Sequence, residues 1–252
     1  RTFDLLMRMR CNKLTQEDIN WLYERVEDYG SGSYKKLEIK PVIIYTQNKQ
    51  VDYLNKQKMN ELNTKLYTRT ATNTVKLLNK RITLTQDFQD KVLSDIVDKV
   101  CTLKVGANVV LYRNYDIPRK LTNGRLGVVL DIDEEKHNIK VKFSDDTIYD
   151  ILPKVYEIEG PGWILSRMQI PLRPAWAITN YKCQGMTLDS AIVKLADCFA
   201  NGQVYTTVAR VVSIDKLYII DFNPDKVVCV KDLAEYGIEK NYNNSNMPVE
   251  DQ

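Results

Sequence analysis

One segment, residues 176–212, constrains the fold of this chain more than any other. It contains two short apolar runs, separated by a polar turn that includes Gly185, and then a run of valines at helical spacing. Short apolar runs bounded by a glycine-containing turn predict strands buried on both faces. The i, i+4, i+7 spacing predicts a helix that carries Arg210. The valines are Val204, Val208 and Val211.

Three polar side chains of this segment are candidates for a site. Lys182 and Gln184 precede Gly185 in the turn, and Arg210 lies on the predicted helix. Because open α/β sheets bind ligands at the loops that follow their strands, these side chains could converge on one site. A solvated turn and a surface arginine fit the spacing equally well, so both interpretations stay open at this point.

The composition excludes several classes of protein. Of the 252 residues, 44% are hydrophobic and 27% are charged, which is ordinary for a globular chain. A net charge of +3 permits nucleic acid as a partner without requiring it. No apolar run approaches the ~18 residues of a membrane span, so no membrane partner is expected. The chain opens on Arg1, straight into helical sequence, as a piece of a longer protein would.

The cysteines and the single histidine give little support to a metal- or thiol-dependent enzyme. The cysteines form no Cys-x-x-Cys pair, so neither a zinc ribbon nor a disulfide framework is expected. The single histidine, His137, lies in a charged turn, where a catalytic base is not expected. The five scattered cysteines are Cys11, Cys101, Cys183, Cys198 and Cys229.

The first 100 residues predict helices and one strand. Thr15 and Asp18 have the spacing of a capping box before a helix, and residues 28–33 are predicted to be a flexible connector. The apolar run 41–45 predicts a buried strand, and Asn48 is the expected cap of the helix after it, although a helix start also suits a phosphate. Two further helices are predicted over 2–11, with Phe3, Leu6 and Met9 on one face, and over 86–99.

From Cys101 onward, the sequence pattern changes to one that predicts short strands. Successive short strands are predicted over 105–113, 127–132, 138–143 and 147–152, with turn signals between them, and they suggest a small barrel. Basic side chains surround its long loop and its Asn-Gly turn, where they either contact nucleic-acid backbone or form a charged rim. They are Arg113, Arg119, Lys120 and Arg125.

A strand predicted over 216–221 ends in Asp221, as in a Walker B motif. No Gly-x-x-x-x-Gly-Lys-[Ser/Thr] pattern occurs in the 252 residues, so no phosphate loop accompanies it. Asp221 is therefore interpreted as a strand-end residue.

Several longer motifs resemble the Pif-type DNA helicases. Residues 103–114 and 121–129 are similar to the barrel segment of that family, and residues 5–18 to the segment after an upstream motif. The later helicase motifs of the family are matched in order by 169–178, 182–189, 199–205 and 209–210. Tyr181 and Cys183 depart from the usual His-Lys-Ser-Gln-Gly, and Ala209 from the usual Ser-Arg.

The resemblance implies an α/β fold. It would be the second RecA-like domain of a superfamily-one, 5′-to-3′ helicase: a parallel sheet flanked by helices, interrupted by a small all-β Src-homology-three-type barrel. The RecA-like domain would comprise 1–100 and 161–240, the barrel 101–160, and a disordered tail 241–252. A first RecA-like domain, not in this sequence, would be its amino-terminal partner and would hold most of the ATP and Mg²⁺.

The same resemblance implies roles for individual residues. Arg210 would be the arginine finger that reaches the γ-phosphate, and Gln184 would act with it in catalysis. Gly185 and Lys182 would join Arg210 around the nucleotide. Single-stranded DNA and duplex junctions would be the partners, in replication, repair or recombination. The nucleic-acid contacts would be Thr46, Asn48, Thr179, Tyr181, Lys182, Arg113 and Arg125.

Two expectations follow for the whole protein. Without Walker A and B motifs, these 252 residues alone should not hydrolyse ATP, although the longer protein should be an ATP-dependent DNA helicase. The setting should be intracellular, with the nucleus, a mitochondrion and a virus all compatible with the composition. The alternative is a non-catalytic module that binds nucleic acid or protein through the barrel and its α/β scaffold.

Overall fold

The computed structural model describes residues 2–79, 81–198 and 200–229. The predicted disordered tail, 241–252, lies outside these residues. The helices are α1 (Thr2–Arg10), α2 (Gln16–Ser31), α3 (Asn48–Glu61), α4 (Gln86–Ser94) and α5 (Gln203–Val208). The strands are β1 (Val42–Tyr45), β2 (Tyr67–Thr70), β3 (Thr72–Leu77), β4 (Val100–Leu103), β5 (Asn108–Leu111), β6 (Leu126–Asp133), β7 (Asn138–Phe143), β8 (Ile148–Ile151), β9 (Lys154–Gly160), β10 (Trp163–Gln169), β11 (Leu172–Pro174), β12 (Ala177–Thr179), β13 (Ala191–Val193) and β14 (Leu217–Ile219).

A parallel sheet runs in the order β12, β1, β13, β14. Every residue of β12 and β13 is buried, as the apolar runs predict. Helix α2 packs on β14, and α3 packs on β12 and β1. The predicted α/β class, with a parallel sheet flanked by helices, is confirmed.

The segment 176–212 forms two strands with a polar turn between them, as predicted, but Arg210 does not lie on a helix. Helix α5 has only six residues and ends at Val208. Val211 then forms a parallel bridge with Leu188, which requires extended backbone and so stops the helix. Arg210 therefore sits in the turn between the helix and this bridge.

The antiparallel strands form a separate layer. One sheet has the order β11, β5, β6, β7, β8, and its apolar side chains form a second core with members such as Phe143 and Ile139. A smaller sheet has the order β3, β10, β9, and another pairs β2 with β4. The four predicted strands are confirmed, whereas closure into a Src-homology-three-type barrel stays a prediction, as do the domain limits. Strand β11 joins this sheet from beyond residue 160.

Several local predictions for the helices are wrong. Helix α2 continues through Ser31, so most of the predicted connector 28–33 is helical, and Gly32 caps the helix. In α1 the buried pair is Leu5 and Met9, whereas Phe3 is 70% exposed. The buried row thus follows i, i+4 from Leu5, because this side of α1 faces α5.

Helices α3 and α4 also differ from expectation. Asn48 is the first residue of α3, and Gln47 is its cap without a side-chain hydrogen bond. Helix α4 ends at Ser94 rather than at residue 99. Residues 95–99 form a turn before β4, in which the Val97 carbonyl accepts from Arg167 at 3.0 Å and the Asp98 amide donates to the Tyr112 hydroxyl at 3.0 Å. Strands β2 and β3 have too little periodicity to be predicted from the sequence.

The capping box of α2 is confirmed and is reinforced by an ion pair. The Thr15 hydroxyl accepts from the Asp18 amide, and the Asp18 carboxylate accepts from the Thr15 amide at 3.0 Å. The same carboxylate accepts two hydrogen bonds of 2.6 Å from the Arg8 guanidinium, which lower the pKa of Asp18 to about 2. Asp18 thus joins α1 to α2.

Asp18→Asn should destabilise the chain by roughly 1–2 kcal/mol at pH 7, since Arg8 is partly exposed and solvent weakens the pair. The folded-state pKa lies below the ordinary value, so this contribution is present above pH ~4 and is lost as the pH falls toward 2. Urea unfolding at pH 7 and at pH 3 measures it. Asp52→Asn, at an exposed position in α3, should show no such pH-dependent difference.

Candidate functional site

The carboxyl ends of β1 and β12 lie side by side. Tyr45 pairs with Thr179, and the Asn180 amide donates to the Tyr45 carbonyl at 2.8 Å. Thr46 and Tyr181 therefore leave adjacent strand ends, and both are exposed, Tyr181 by 79%. This edge is where open α/β sheets bind ligands.

The turn after β12 is held by hydrogen bonds that leave its polar side chains free. The Cys183 amide donates to the Thr179 carbonyl at 3.0 Å, and the Thr179 hydroxyl accepts from the Lys182 amide at 3.2 Å. Thr179 is buried, so its side chain shapes the turn. Lys182 and Gln184 are exposed, and Gly185 closes the turn at φ 74°.

Cys183 belongs to the core beneath this turn. Its thiol donates to the Asn180 carbonyl at 3.1 Å. Burial raises the pKa of this thiol to about 11, so it stays protonated at neutral pH, and the positive charge of Arg210 acts in the opposite direction. Arg210 is connected to this turn through Leu188, whose amide donates to the Arg210 carbonyl at 2.7 Å. Convergence of the Lys182, Gln184 and Arg210 side chains stays a prediction.

Arg210 is a half-exposed guanidinium in a fixed position. Its Nε donates to the Thr206 carbonyl at 2.9 Å, and its own carbonyl accepts from the Leu188 amide at 2.7 Å. Among the described residues no carboxylate pairs with it, and none pairs with Lys182. A guanidinium that is anchored through Nε and keeps its other nitrogens unpaired suits a phosphate.

The predicted nucleic-acid contacts in the antiparallel layer have partners within the chain. Arg113 donates to the carbonyls of Asp95 and Ile96. Arg125 pairs with Asp145 and lies over the Phe143 ring at 5.0 Å, and its side chain is only 10% exposed. Among the described residues, neither arginine side chain hydrogen-bonds to the turn of Lys182. Contact of Arg113 and Arg125 with nucleic acid stays a prediction.

Two other features lie apart from this edge. The Asp221 carboxylate accepts from the Ala196 amide at 3.2 Å, which agrees with a structural strand-end role. A cavity of about 440 Å³ opens at the amino ends of β1, β13 and β14, between Glu38, Asp189 and Lys216. Because phosphates bind such sheets at the opposite edge, the cavity is not the expected nucleotide site.

Some residues that position the site could not be found from the sequence. Thr206 acts through its carbonyl, which every residue type possesses. Leu188 acts through its amide and carbonyl, with the Val212 amide donating to the latter at 3.0 Å. Backbone groups have no sequence signature, so only the tertiary structure shows these contacts.

A parallel sheet flanked by helices, with an added antiparallel layer, defines an α/β unit of the RecA-like class. The ATP-dependent DNA helicase PIF1 of Danio rerio is 38% identical over 139 residues, covering 54% of this chain and 22% of the relative. No model of a protein family matches the sequence.

Solved structures share the fold across the chain. The Bacteroides sp. Pif1 in complex with ADP-AlF4 has a TM-score of 0.74 at 20% identity, covering 97% of this chain and 54% of that one. The Bacteroides Pif1 bound to ssDNA has a TM-score of 0.55 at 19% identity, with 96% and 54% covered. The chain is thus similar in sequence and in fold to the carboxy-terminal half of the Pif-type DNA helicases, and the resemblance is confirmed.

The match covers only part of the length of each relative. The match spans about a fifth of the length of the PIF1 relative and just over half of the solved chain with ADP-AlF4. The activity and partners of a whole protein are therefore proposals. In the part that the structure describes, no helix is long and apolar enough to cross a bilayer.

Proposed function

We propose that this chain is the carboxy-terminal motor half of an ATP-dependent DNA helicase that moves 5′ to 3′ along single-stranded DNA. The observation that carries the proposal is Arg210, a guanidinium anchored on the Thr206 carbonyl without a carboxylate partner. The similarity to PIF1 helicases supports it. An enzyme of this kind acts on intracellular DNA in replication, repair and recombination.

The nucleotide chemistry assigns different tasks to two domains. ATP and Mg²⁺ are held mainly by a first RecA-like domain, because the 252 residues contain no phosphate loop. Arg210 faces the γ-phosphate and stabilises the charge that develops during transfer. Gln184 and Gly185 couple the nucleotide to the strand contact, and Lys182 adds positive charge beside them.

The exposed strand ends form one wall of the DNA track. The ring of Tyr181 stacks on a base, and Lys182 contacts a phosphate. Thr46 and Asn48, at the end of β1 and the start of α3, provide further phosphate contacts. Thr179 is buried and acts by holding the Lys182 amide. Closure of the two domains on ATP would then move this wall along the strand.

An unwinding assay on the full-length protein tests this proposal. A duplex with a 5′ single-stranded tail should be unwound in an ATP-dependent reaction, whereas a 3′-tailed duplex should not. The isolated 252 residues should show no ATP hydrolysis and only weak, salt-sensitive DNA binding. Preference for the 3′ tail would overturn the polarity. DNA or protein binding without any effect of ATP would instead favour a non-catalytic binding module.

A further inference from the structure

The segment 187–189 connects the antiparallel layer to Arg210. On one side it touches the turn between β5 and β6, which contains Asn123 and Gly124. On the other side Leu188 exchanges backbone hydrogen bonds with the strand-like residues around Arg210. The segment also continues directly from the turn that carries Lys182 and Gln184.

Gly124 makes the closest of these contacts. Its φ is 100°, and a Cβ at this position would lie 2.3 Å from the Thr187 carbonyl oxygen and 2.8 Å from the Thr187 nitrogen. Any residue other than glycine would place a Cβ here and would push the backbone of this turn away from the backbone of Thr187. Asn123 adds a weak hydrogen bond of 3.4 Å from its side-chain amide to the Gly185 carbonyl.

Asp189 fastens the other end of the segment to the same layer. Its Oδ2 accepts from the Leu126 amide at 3.0 Å and from the Ser144 hydroxyl. These donors belong to β6 and to the turn after β7, so one carboxylate holds two neighbouring strands of the antiparallel sheet.

The contact continues from this segment to the arginine. The Leu188 amide donates to the Arg210 carbonyl at 2.7 Å, and the Val212 amide donates to the Leu188 carbonyl at 3.0 Å. A displacement of Leu188 would therefore move the backbone of Arg210. The anchor of its side chain, the Thr206 carbonyl, lies on α5 and would stay behind.

We propose that Gly124 and Asp189 are positioning residues, which fix the Lys182 turn and Arg210 relative to each other through the segment 187–189. The antiparallel layer thereby sets the geometry of the nucleotide-facing residues, and a change in its contacts alters ATP turnover. This positioning role rests on the proposed function of Arg210. The contact of the antiparallel layer with the segment 187–189 does not depend on that function.

The test uses Gly124→Ala in the full-length protein, with Gly30→Ala as the matched control because a Cβ at Gly30 meets open space. Gly124→Ala should accelerate hydrogen exchange at the Leu188 and Val212 amides by about tenfold or more. With saturating single-stranded DNA, kcat for ATP should fall by about tenfold, because small misplacements cost this much, while KM for ATP changes little. Gly30→Ala should leave all three quantities unchanged.

A second series covers the case in which Gly124→Ala fails to fold. Asp189→Ala should reproduce its effects, and Asp189→Asn, which keeps one acceptor, should lose only about threefold in kcat. Asp150→Ala, at an exposed carboxylate of β8, is the control.

The two readouts separate the possible failures. Unchanged exchange at Leu188 and Val212 in folded variants would overturn the contact. Faster exchange with an unaltered kcat would overturn the positioning role. A wild-type protein without ATP hydrolysis would overturn the proposed function, while hydrogen exchange would still decide the contact.

Discussion

Replacing Arg210 with alanine in the full-length protein is expected to lower ATP turnover by about 10³-fold or more, the range of arginine fingers in phosphoryl transfer. The loss is large because the guanidinium is held in place by the Thr206 carbonyl and has no competing carboxylate among the described residues. Affinity for single-stranded DNA should change little, since the exposed strand ends carry that contact. Steady-state hydrolysis and DNA titrations measure the two quantities.

Two variants sharpen this result. Arg210→Lys keeps the charge but loses the planar fork and the Nε anchor, so its turnover should lie between those of the wild type and Arg210→Ala. Arg81→Ala, at an exposed arginine, should be indistinguishable from the wild type. Turnover of Arg210→Ala within fivefold of the wild type would show that this arginine does not serve the nucleotide.

Replacing Arg167 with alanine should destabilise the chain by about 3–5 kcal/mol, the range for breaking a buried charge network. Arg167 is fully buried in β10. Its guanidinium donates to Asp90 at 2.9 Å, to the Asn73 side chain at 2.8 Å and to the Val97 carbonyl at 3.0 Å. The variant would leave these acceptors without a donor and would open a cavity beside α4.

Chemical unfolding in urea measures this loss, with Arg119→Ala as the control. The Arg119 side chain is 68% exposed and pairs only with Asp116, so its removal should cost less than ~1 kcal/mol. A loss below 1 kcal/mol for Arg167→Ala would mean that the network contributes little net stability.

The sequence predicted the structure correctly where contacts between residues close together in the chain determine it. The capping box at Thr15 and Asp18 needs only contacts three residues apart, and the structure has both of its hydrogen bonds. The apolar runs of β12 and β13 are buried throughout, as their composition predicts. Predictions failed where a distant partner decides, as at the end of α4, where Val97 and Asp98 hydrogen-bond to Arg167 and Tyr112 instead of continuing the helix.

The same distinction between local and long-range contacts applies to the candidate site. Ordered motifs made Lys182, Gln184 and Arg210 candidates for one site, and their joint role stays a prediction. Their supports, the Thr206 carbonyl and the Leu188 amide, are backbone groups without a sequence signature. For Arg125 the sequence predicted a contact with nucleic acid on the basis of its charge. The fold shows that its side chain forms an ion pair with Asp145.

For the segment 176–212, the sequence by itself determined two buried strands and a polar turn and gave the residue types of the proposed phosphate site, because apolar periodicity and side-chain chemistry are local properties. Only the tertiary structure decided that Arg210 lies beyond its helix. It also decided that Gly124 contacts this segment from the antiparallel layer and that Asp189 fastens the segment to that layer. The first outcome depends on the bridge between Leu188 and Val211. The second depends on contacts such as that of Asp189 with Leu126, which lies 63 residues away in the chain, and no local pattern encodes such distances.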